Sequence, residues 1–304
     1  MRCIVTGGLG FIGSNLTDRL VELGCEVCVV DNLSTGKQSR LNPKTKWINA
    51  DIQDDLSSLF AEDDKYDVIF HLGAQARIQP SFQLPIETSS INVLGTMRAL
   101  ELAKKMGAKL VYAGSSSFYG DPHKNPYALS KWLGEEMCIM YNQVYGVPVA
   151  IARFFNVYGP RQPTEGQYAT VIGIFERQKT AKESLTVTGT GEQRRDFTHV
   201  SDIVTGLIAM SCESWNGEIF NLGSGVNFSI KEVAEMFEPQ EIIYLPQRPG
   251  EADSTLADIQ FTSDKLNWFP TVGLEDYING FLDEVDLLPE DKSSWSNWLK
   301  GLFS

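Results

Sequence analysis

The first strand of this chain runs straight into glycine. The stretch "CIVTGGLGFIGSNL" sets Gly7, Gly8, Gly10 and Gly13 between a β-rich run and an amphipathic helix. A second β-rich run then ends on Asp31, 18 residues beyond Gly13. A bare G-x-G-x-x-G match says little. Strand, glycine turn, helix and acid-tipped second strand, in that order, leave few folds open. Glycines let the backbone approach a pyrophosphate, and a helix N-terminus favours its charge. A carboxylate at Asp31 suits the hydroxyls of an adenosine ribose and repels an added phosphate, so NAD is expected rather than NADP. A glycine turn that binds nothing leaves this context unexplained.

The alternation continues. Strand candidates are Cys3–Thr6, Glu26–Asp31, Trp47–Ala50, Val68–His71, Lys109–Ala113 and Pro148–Phe154, with amphipathic stretches at Ser14–Leu23, Asn92–Met106 and Ser130–Tyr145. Apolar strands separated by helices imply a parallel sheet covered on both faces. Right-handed crossovers then give an α/β, Rossmann-type doubly wound sheet. After Gly159 the strands shorten and the helices stand alone, at Thr170–Thr180, Asp202–Ser211 and Lys231–Phe237. The expected organisation is an NAD-binding domain over 1–158 with a return to the sheet within 196–225. A smaller α/β substrate lobe takes 159–195 and 226–282, and an amphipathic tail takes 283–304. In that tail Trp295, Trp298, Leu299, Leu302 and Phe303 share a helical face, which packing on the protein itself or on a symmetry mate would cover.

Among 304 residues the formal charge of −13 disfavours non-specific binding to nucleic acid or anionic membrane. A phosphate-bearing ligand must be held by local arginines and backbone amides. Five cysteines include a formal C-x-x-C at Cys25 and Cys28, but in an apolar strand-like run, without a second ligand pair; a core strand explains it better than redox or zinc chemistry, and no metal is expected. The chain opens on strand residues, without a basic-then-apolar leader, and has no 18-residue apolar run. A cytoplasmic protein is expected.

A second motif speaks to chemistry. In "KLVYAGSSSFYGDPHKNPYALSK", a β-rich run ends in serines, and Tyr127 and Lys131 follow at i and i+4, one face of a helix that Pro126 starts well. A tyrosine with pKa about 10 is only ~0.1% phenolate at pH 7. Lowering that pKa by about three units takes ~4 kcal/mol, attainable for a lysine ammonium and an oxidised nicotinamide in a partly dry site. Tyr127 is therefore a candidate general base. Alone, such a pair is usually surface decoration. Hydroxyls at the carboxyl end of a sheet strand, where open α/β sheets bind ligands, reverse that judgement.

"TGGLGFIG", "VVDNLSTG", "ADI", "HLGAQA", "NVLGT", "YALSK" and "RFFNVYGPRQ" together resemble the extended short-chain dehydrogenase/reductases that act on nucleotide sugars, above all UDP-glucose and UDP-N-acetylglucosamine 4-epimerases. The likeness runs from Met1 to about Gly280. It implies cofactor contacts from Gly7, Gly10, Phe11, Ile12 and Gly13 in the pyrophosphate loop, and from Asp31, Asn32, Ser34 and Gly36 near the ribose. Asp51 and Ile52 would flank the adenine. Leu72, Gly73, Ala74, Asn92, Tyr127, Lys131 and Phe155 would line the nicotinamide half. It implies a Ser115–Tyr127–Lys131 catalytic set, in which Ser115 bonds the sugar hydroxyl and relays its proton. Substrate contacts are implied for Ala76, Ser115, Ser116, Ser117, Asn156, Val171, Arg195, Arg248, Glu251 and Thr255, and a homodimer through two helices per subunit.

The resemblance also discriminates. Nucleotide-sugar 4,6-dehydratases carry an Asp-Glu pair where this chain has Ser116 and Ser117, and UDP-glucuronate decarboxylases carry a Glu at the second position. Serine cannot do that acid–base work, so epimerisation is favoured: oxidation at C4, rotation of the ketone, hydride return. Relatives restricted to UDP-glucose and UDP-galactose tend to have Tyr where Thr255 stands, so N-acetylated substrates are expected too. The chain between Ser115 and Tyr127 is markedly shorter than the family's pattern, which opens the site mouth or leaves another segment, such as Gly159–Tyr168 or the tail, to cover it. The leading reading is an NAD-dependent UDP-hexose 4-epimerase. UDP-glucuronate 4-epimerase and a decarboxylase or dehydratase stand behind it. A non-catalytic NAD-binding regulator would be expected to have lost the Ser–Tyr–Lys set.

Overall fold

A computed structural model of the protein describes residues 1–286. Its first half is built from β1 (Arg2–Thr6), α1 (Phe11–Glu22), β2 (Glu26–Val30), β3 (Lys46–Ile48), β4 (Val68–His71), α2 (Ile78–Gln83), α3 (Pro85–Ser89), α4 (Gly95–Met106), β5 (Lys109–Ser115), α5 (Pro126–Tyr145) and β6 (Val149–Phe154). Four of the five residues of β1, and all four of β4, are buried, as a sheet covered on both faces requires. Seven parallel strands lie in the order β11-β6-β5-β4-β1-β2-β3, the seventh being β11 (Asn216–Leu222). The order reverses beside β1, between β2 and β4. A doubly wound sheet holds its ligands in the crevice that this reversal opens at the carboxyl ends of the strands.

The rest comprises β7 (Val157–Tyr158), α6 (Val171–Thr180), β8 (Leu185–Thr188), β9 (Arg194–Asp196), β10 (Thr198–His199), α7 (Val200–Cys212), β12 (Asn227–Ser229), α8 (Ile230–Met236), β13 (Ile242–Leu245), α9 (Gln260–Leu266) and α10 (Leu274–Asp286). Three apolar clusters hold the molecule. One packs α4 and α5 on one face of the sheet, through Leu100, Ala103, Cys138 and Tyr141. Another packs α1 and α7 on the opposite face, through Leu16, Leu20, Ile203 and Leu207. The third, around Phe175, Phe237 and Ile278, is the core of the smaller lobe.

Several bounds differ from expectation. Asp31 lies just past the end of β2 rather than in it, and β3 starts one residue before Trp47. Helix α1 begins at Phe11 because Gly10 takes the extended N-cap conformation. The stretch at Asn92–Met106 belongs to a longer rod, in which α3, a π-type turn at Ser90–Leu94 and α4 follow without a break. Asn92 sits in that wide turn. The two- to four-residue strands of the lobe, and the seven-residue α9, carry too little periodic signal to be read in advance, whereas α10 repeats Leu274, Ile278, Phe281 and Leu282 on one face, a pattern left unread within the lobe.

Cys28 and Cys25 pack on opposite faces of the sheet, so they cannot share a ligand, and all five cysteines are unbridged. Among the described residues no cluster of His, Cys, Asp and Glu could hold a metal, and no helix is long and apolar enough to cross a membrane. The tail expected to present Trp295, Trp298, Leu299, Leu302 and Phe303 lies outside the described residues.

Candidate active site

The glycine loop closes tightly. A Cβ added at Gly13 would stand 2.1 Å from the Gly7 carbonyl oxygen, and one at Gly7, whose φ is +68°, 2.8 Å from the Gly73 nitrogen. Phe11 and Ile12 begin α1, whose first turn carries no acid, leaving the helix N-terminus electropositive. Asp31 ties this loop to its own. Its Oδ2 accepts from Leu9 N at 2.9 Å and its Oδ1 from Leu33 N at 2.8 Å, which leaves each oxygen room for one further donor. Gly36 abuts the same carboxylate, and Ser34 N donates to the Asn32 side chain. Asp51 accepts from the Asn32 amide at 2.7 Å, with Ile52 packed against Gly73 and Gly95 beside it. Leu72, Gly73 and Ala74 follow β4 at the crevice, partly exposed. A cradle with no room for side chains, an uncommitted lone pair on each Asp31 oxygen and a bare helix N-terminus fit the two halves of NAD.

At the other end of the crevice β5 delivers Ser115. The Tyr127 hydroxyl donates to Ser115 Oγ at 3.3 Å, and Ser115 Oγ lies 2.8 Å from Ser117 Oγ in the 3-10 turn Ser116–Gly120. Burial pushes the Tyr127 phenol above its ordinary value of 10, against Ser115 and the Arg77 guanidinium, which pull it down. Lys131, expected to share that pulling with an oxidised nicotinamide, has its Nζ 4.3 Å from the centre of the Tyr112 ring, and burial lowers its pKa to about 8, while Glu135 opposes the fall. The side chain packs between α5 and β5, over the Tyr112 ring.

Beneath the serine turn lies a buried ion pair. Arg153 Nη2 meets Glu135 Oε2 at 2.6 Å, and the guanidinium carbon stacks 3.7 Å from the centre of the Phe118 ring. Burial pushes the Glu135 carboxyl up, and Arg153 and the Ser115 backbone hold it down. Neither residue was singled out in the sequence. Phe155 needs correction. It is 0% exposed, under a stacked Tyr119 ring 5.9 Å away, so the ring turned outward is that of Tyr119, whose hydroxyl donates to Asn221 at 2.8 Å.

On the lobe side, Arg195 Nη2 stands 3.6 Å from Glu251 Oε2, while Arg248 is exposed. Asn156, at φ +25°, donates its side-chain N–H groups to the Asp196 carbonyl at 2.8 Å and to the buried Thr255 hydroxyl at 3.4 Å. Val171 is the first residue of α6, and Ala76 is exposed on the loop after β4. Asn92 accepts from Gln75 N and donates to Ser130 Oγ at 2.9 Å, tying that loop to α5.

One segment meets the short chain between Ser115 and Tyr127, and that segment and a second one also meet the residues after β4. The carbonyl of Gly250 accepts from Asn125, the N-cap of α5, at 3.0 Å, and that of Pro249 accepts from Gln79 at 3.0 Å. The Tyr168 carbonyl accepts from Arg77 Nε and Nη2 at 2.9 and 2.8 Å. Of the two expected covers, the Gly159–Tyr168 loop reaches the site's border, and the loop at Pro249–Gly250 joins it unforeseen. Arg77, Gln79 and Asn125 had only their position at strand and helix ends to mark them.

Residues 3–223 match the NAD dependent epimerase/dehydratase family. A UDP-glucose 4-epimerase of Mycolicibacterium smegmatis is 35% identical over 303 residues, 91% of this chain and 96% of its own. UDP-glucuronic acid decarboxylase 1 of Arabidopsis thaliana is 34% identical over 303 residues, 91% of this chain and 68% of its own. The crystal structure of UDP-glucose 4-epimerase with UDP-glucose from Thermotoga maritima superposes with a TM-score of 0.87 at 30% identity, covering 93% of this chain and 98% of that one.

Proposed function

We propose, from the premise that this chain belongs to the NAD dependent epimerase/dehydratase family, that it inverts C4 of a UDP-hexose. UDP-glucose and UDP-galactose are the first substrates, with UDP-N-acetylglucosamine and its galacto epimer beside them. One observation carries this choice within the family. The turn that follows Ser115 offers hydroxyls, those of Ser116, Ser117 and Tyr119, but no carboxyl, and the acid beneath it, Glu135, is engaged by Arg153. Elimination and decarboxylation chemistry of the kind the sequence comparison describes needs a free carboxyl there. Epimerisation does not.

NAD, when bound between the glycine loop and Tyr127, supplies a hydride acceptor for oxidation at C4 and a donor for the return. The residues of the chain do the rest. Ser115 takes the hydrogen bond of the C4 hydroxyl, and the proton passes through it to the Tyr127 oxygen. When the 4-keto sugar has turned its other face, the same path runs backwards. Arg195 and Glu251, with Arg248, hold the nucleotide half while the sugar rotates, and guanidinium suits the diphosphate. Thr255 in place of a bulkier residue leaves room for an N-acetyl group at C2.

A second reading, a UDP-glucuronate 4-epimerase or decarboxylase, is supported by the 34% identity to the plant decarboxylase. Incubation with UDP-glucose, UDP-N-acetylglucosamine and UDP-glucuronate in turn, followed by proton NMR of the sugar, separates the two. Conversion of the first two to their galacto epimers is expected. Turnover of UDP-glucuronate alone, or release of a UDP-pentose, would overturn the proposal.

A further inference from the structure

The chain between β7 and α6 is tied down at both ends, and the ties stand on opposite walls of the cofactor crevice. At the first, the side-chain amide of Asn15, one turn into α1, donates to the Phe11 carbonyl at 2.9 Å and to the Pro160 carbonyl at 3.0 Å. Pro160 is thereby joined to the residue that opens the helix behind the glycine loop. Arg161 is held twice. Its carbonyl accepts from Arg40 Nη2 at 2.8 Å, and its own Nη2 meets Asp18 Oδ2 at 2.6 Å. Arg40 belongs to the loop after β2, whose Lys37 N–H donates to the Leu9 carbonyl in the glycine turn at 3.0 Å.

The second tie is the Tyr168 carbonyl, which accepts from Arg77 Nε and Nη2 on the loop after β4. That loop and the glycine loop abut at Gly73 and Gly7, so the two ties bracket the crevice that opens above this junction. The chain between them is braced. Gln162, buried, donates to Glu176 of α6 at 2.8 Å and accepts from Thr170 Oγ at 2.6 Å. Arg161 stands at φ +71°, a left-handed conformation that costs a residue with a side chain. It persists because carbonyl and guanidinium are both engaged. Gly159 at φ +122° and Gly166 at φ +75° supply points about which the chain can swing.

We propose that Pro160–Tyr168 is a strap across the bound dinucleotide, latched at Arg161 and at Tyr168, which must open before NAD can leave. The inference rests on the cofactor site and not on which sugar is turned over. The epimerase scheme gives such retention a use: the hydride returns to the sugar it came from, so the cofactor need not exchange between cycles.

The test is the rate at which NADH leaves the full-length protein, read by stopped-flow fluorescence as excess NAD displaces it. Two latch residues of opposite charge are altered singly and together, as Asp18→Asn, Arg77→Met and the double variant. Asp18→Asn should speed release about threefold, the weight of a partly exposed ion pair. Arg77→Met should speed it at least tenfold, as loss of charge-assisted hydrogen bonds does. A field effect alone predicts the reverse for Asp18→Asn, because removing an acid favours the anionic dinucleotide. Opening either end frees the same strap, so the double variant should fall well short of the product of the single effects. If Arg77→Met does not fold, Asp18→Asn decides alone. Unchanged or slower release in Asp18→Asn, or a double variant equal to the product, would overturn the strap and leave the cofactor site and the epimerase scheme standing.

Discussion

The hydroxyl of Tyr127 lies 3.3 Å from that of Ser115, joining the first turn of α5 to the carboxyl end of β5. If this contact is the proton path, Tyr127→Phe should lower kcat by about 10²–10⁴-fold. NAD affinity by calorimetry and the melting temperature should hardly change. Turnover within threefold of the unaltered chain would remove Tyr127 from the mechanism.

Gly13→Ala tests the cradle. The new methyl would meet the Gly7 carbonyl oxygen at 2.1 Å, backbone that cannot step aside. Overpacking of this kind costs about 1–3 kcal/mol. NAD binding should fall at least tenfold, read by fluorescence titration, together with a lower urea midpoint.

Glu135→Gln leaves Arg153 with its charge buried under Phe118 and no counterion. Breaking such a pair costs about 3–5 kcal/mol. The exposed Arg19–Glu22 pair is the control, and Glu22→Gln should change stability by less than about 0.5 kcal/mol. Urea denaturation of the two variants measures both, and equal effects would contradict the energetic reading.

Asn125 does two jobs with one side chain. Its Oδ1 caps α5 by accepting from Ala128 N at 2.7 Å, and its Nδ2 donates to the Gly250 carbonyl. Asn125→Asp keeps the first and loses the second. The melting temperature should stay within a few degrees while UDP affinity falls several-fold, because the loop carrying Arg248 and Glu251 loses its anchor to the helix. An unchanged UDP dissociation constant would show that the contact does not organise the nucleotide site.

His71 is buried between the Thr6 and Thr96 hydroxyls, at 2.8 and 3.3 Å, and burial lowers its pKa from 6.5 to about 3. Between those values the unfolded chain binds a proton that the folded one refuses. Its contribution to stability is therefore whole above pH 6.5 and falls as the pH drops towards 3, by about 1.4 kcal/mol per unit. His71→Asn, which can keep the Thr6 bond, should flatten the unfolding free energy over that window relative to the unaltered chain.

Much of the first half is legible in the residues alone. Gly7, Gly13 and Asp31 belong to one local unit, strand–turn–helix–strand, whose geometry depends on residues close in sequence. The candidate pair of Tyr127 and Lys131 could be read as one helix face for the same reason. Where the lysine points could not, because that depends on Tyr112 from β5 and Glu135 one turn on competing for its charge.

What the sequence by itself determined is the order of the elements, the parallel sheet, the cofactor loop and the absence of acids in the Ser115–Ser117 turn. Each follows from periodicity, from backbone freedom or from residue type alone. Only the tertiary structure decided which loops meet around the site. Arg77 and Tyr168 lie far apart in the chain and meet where the loop after β4, from the central sheet, reaches the loop after β7, a strand of a separate sheet with β10. Asn125 and Gly250 meet because the chain before α5 is short. Such contacts are set by the sum of packing across two lobes, and no local pattern of residues encodes them.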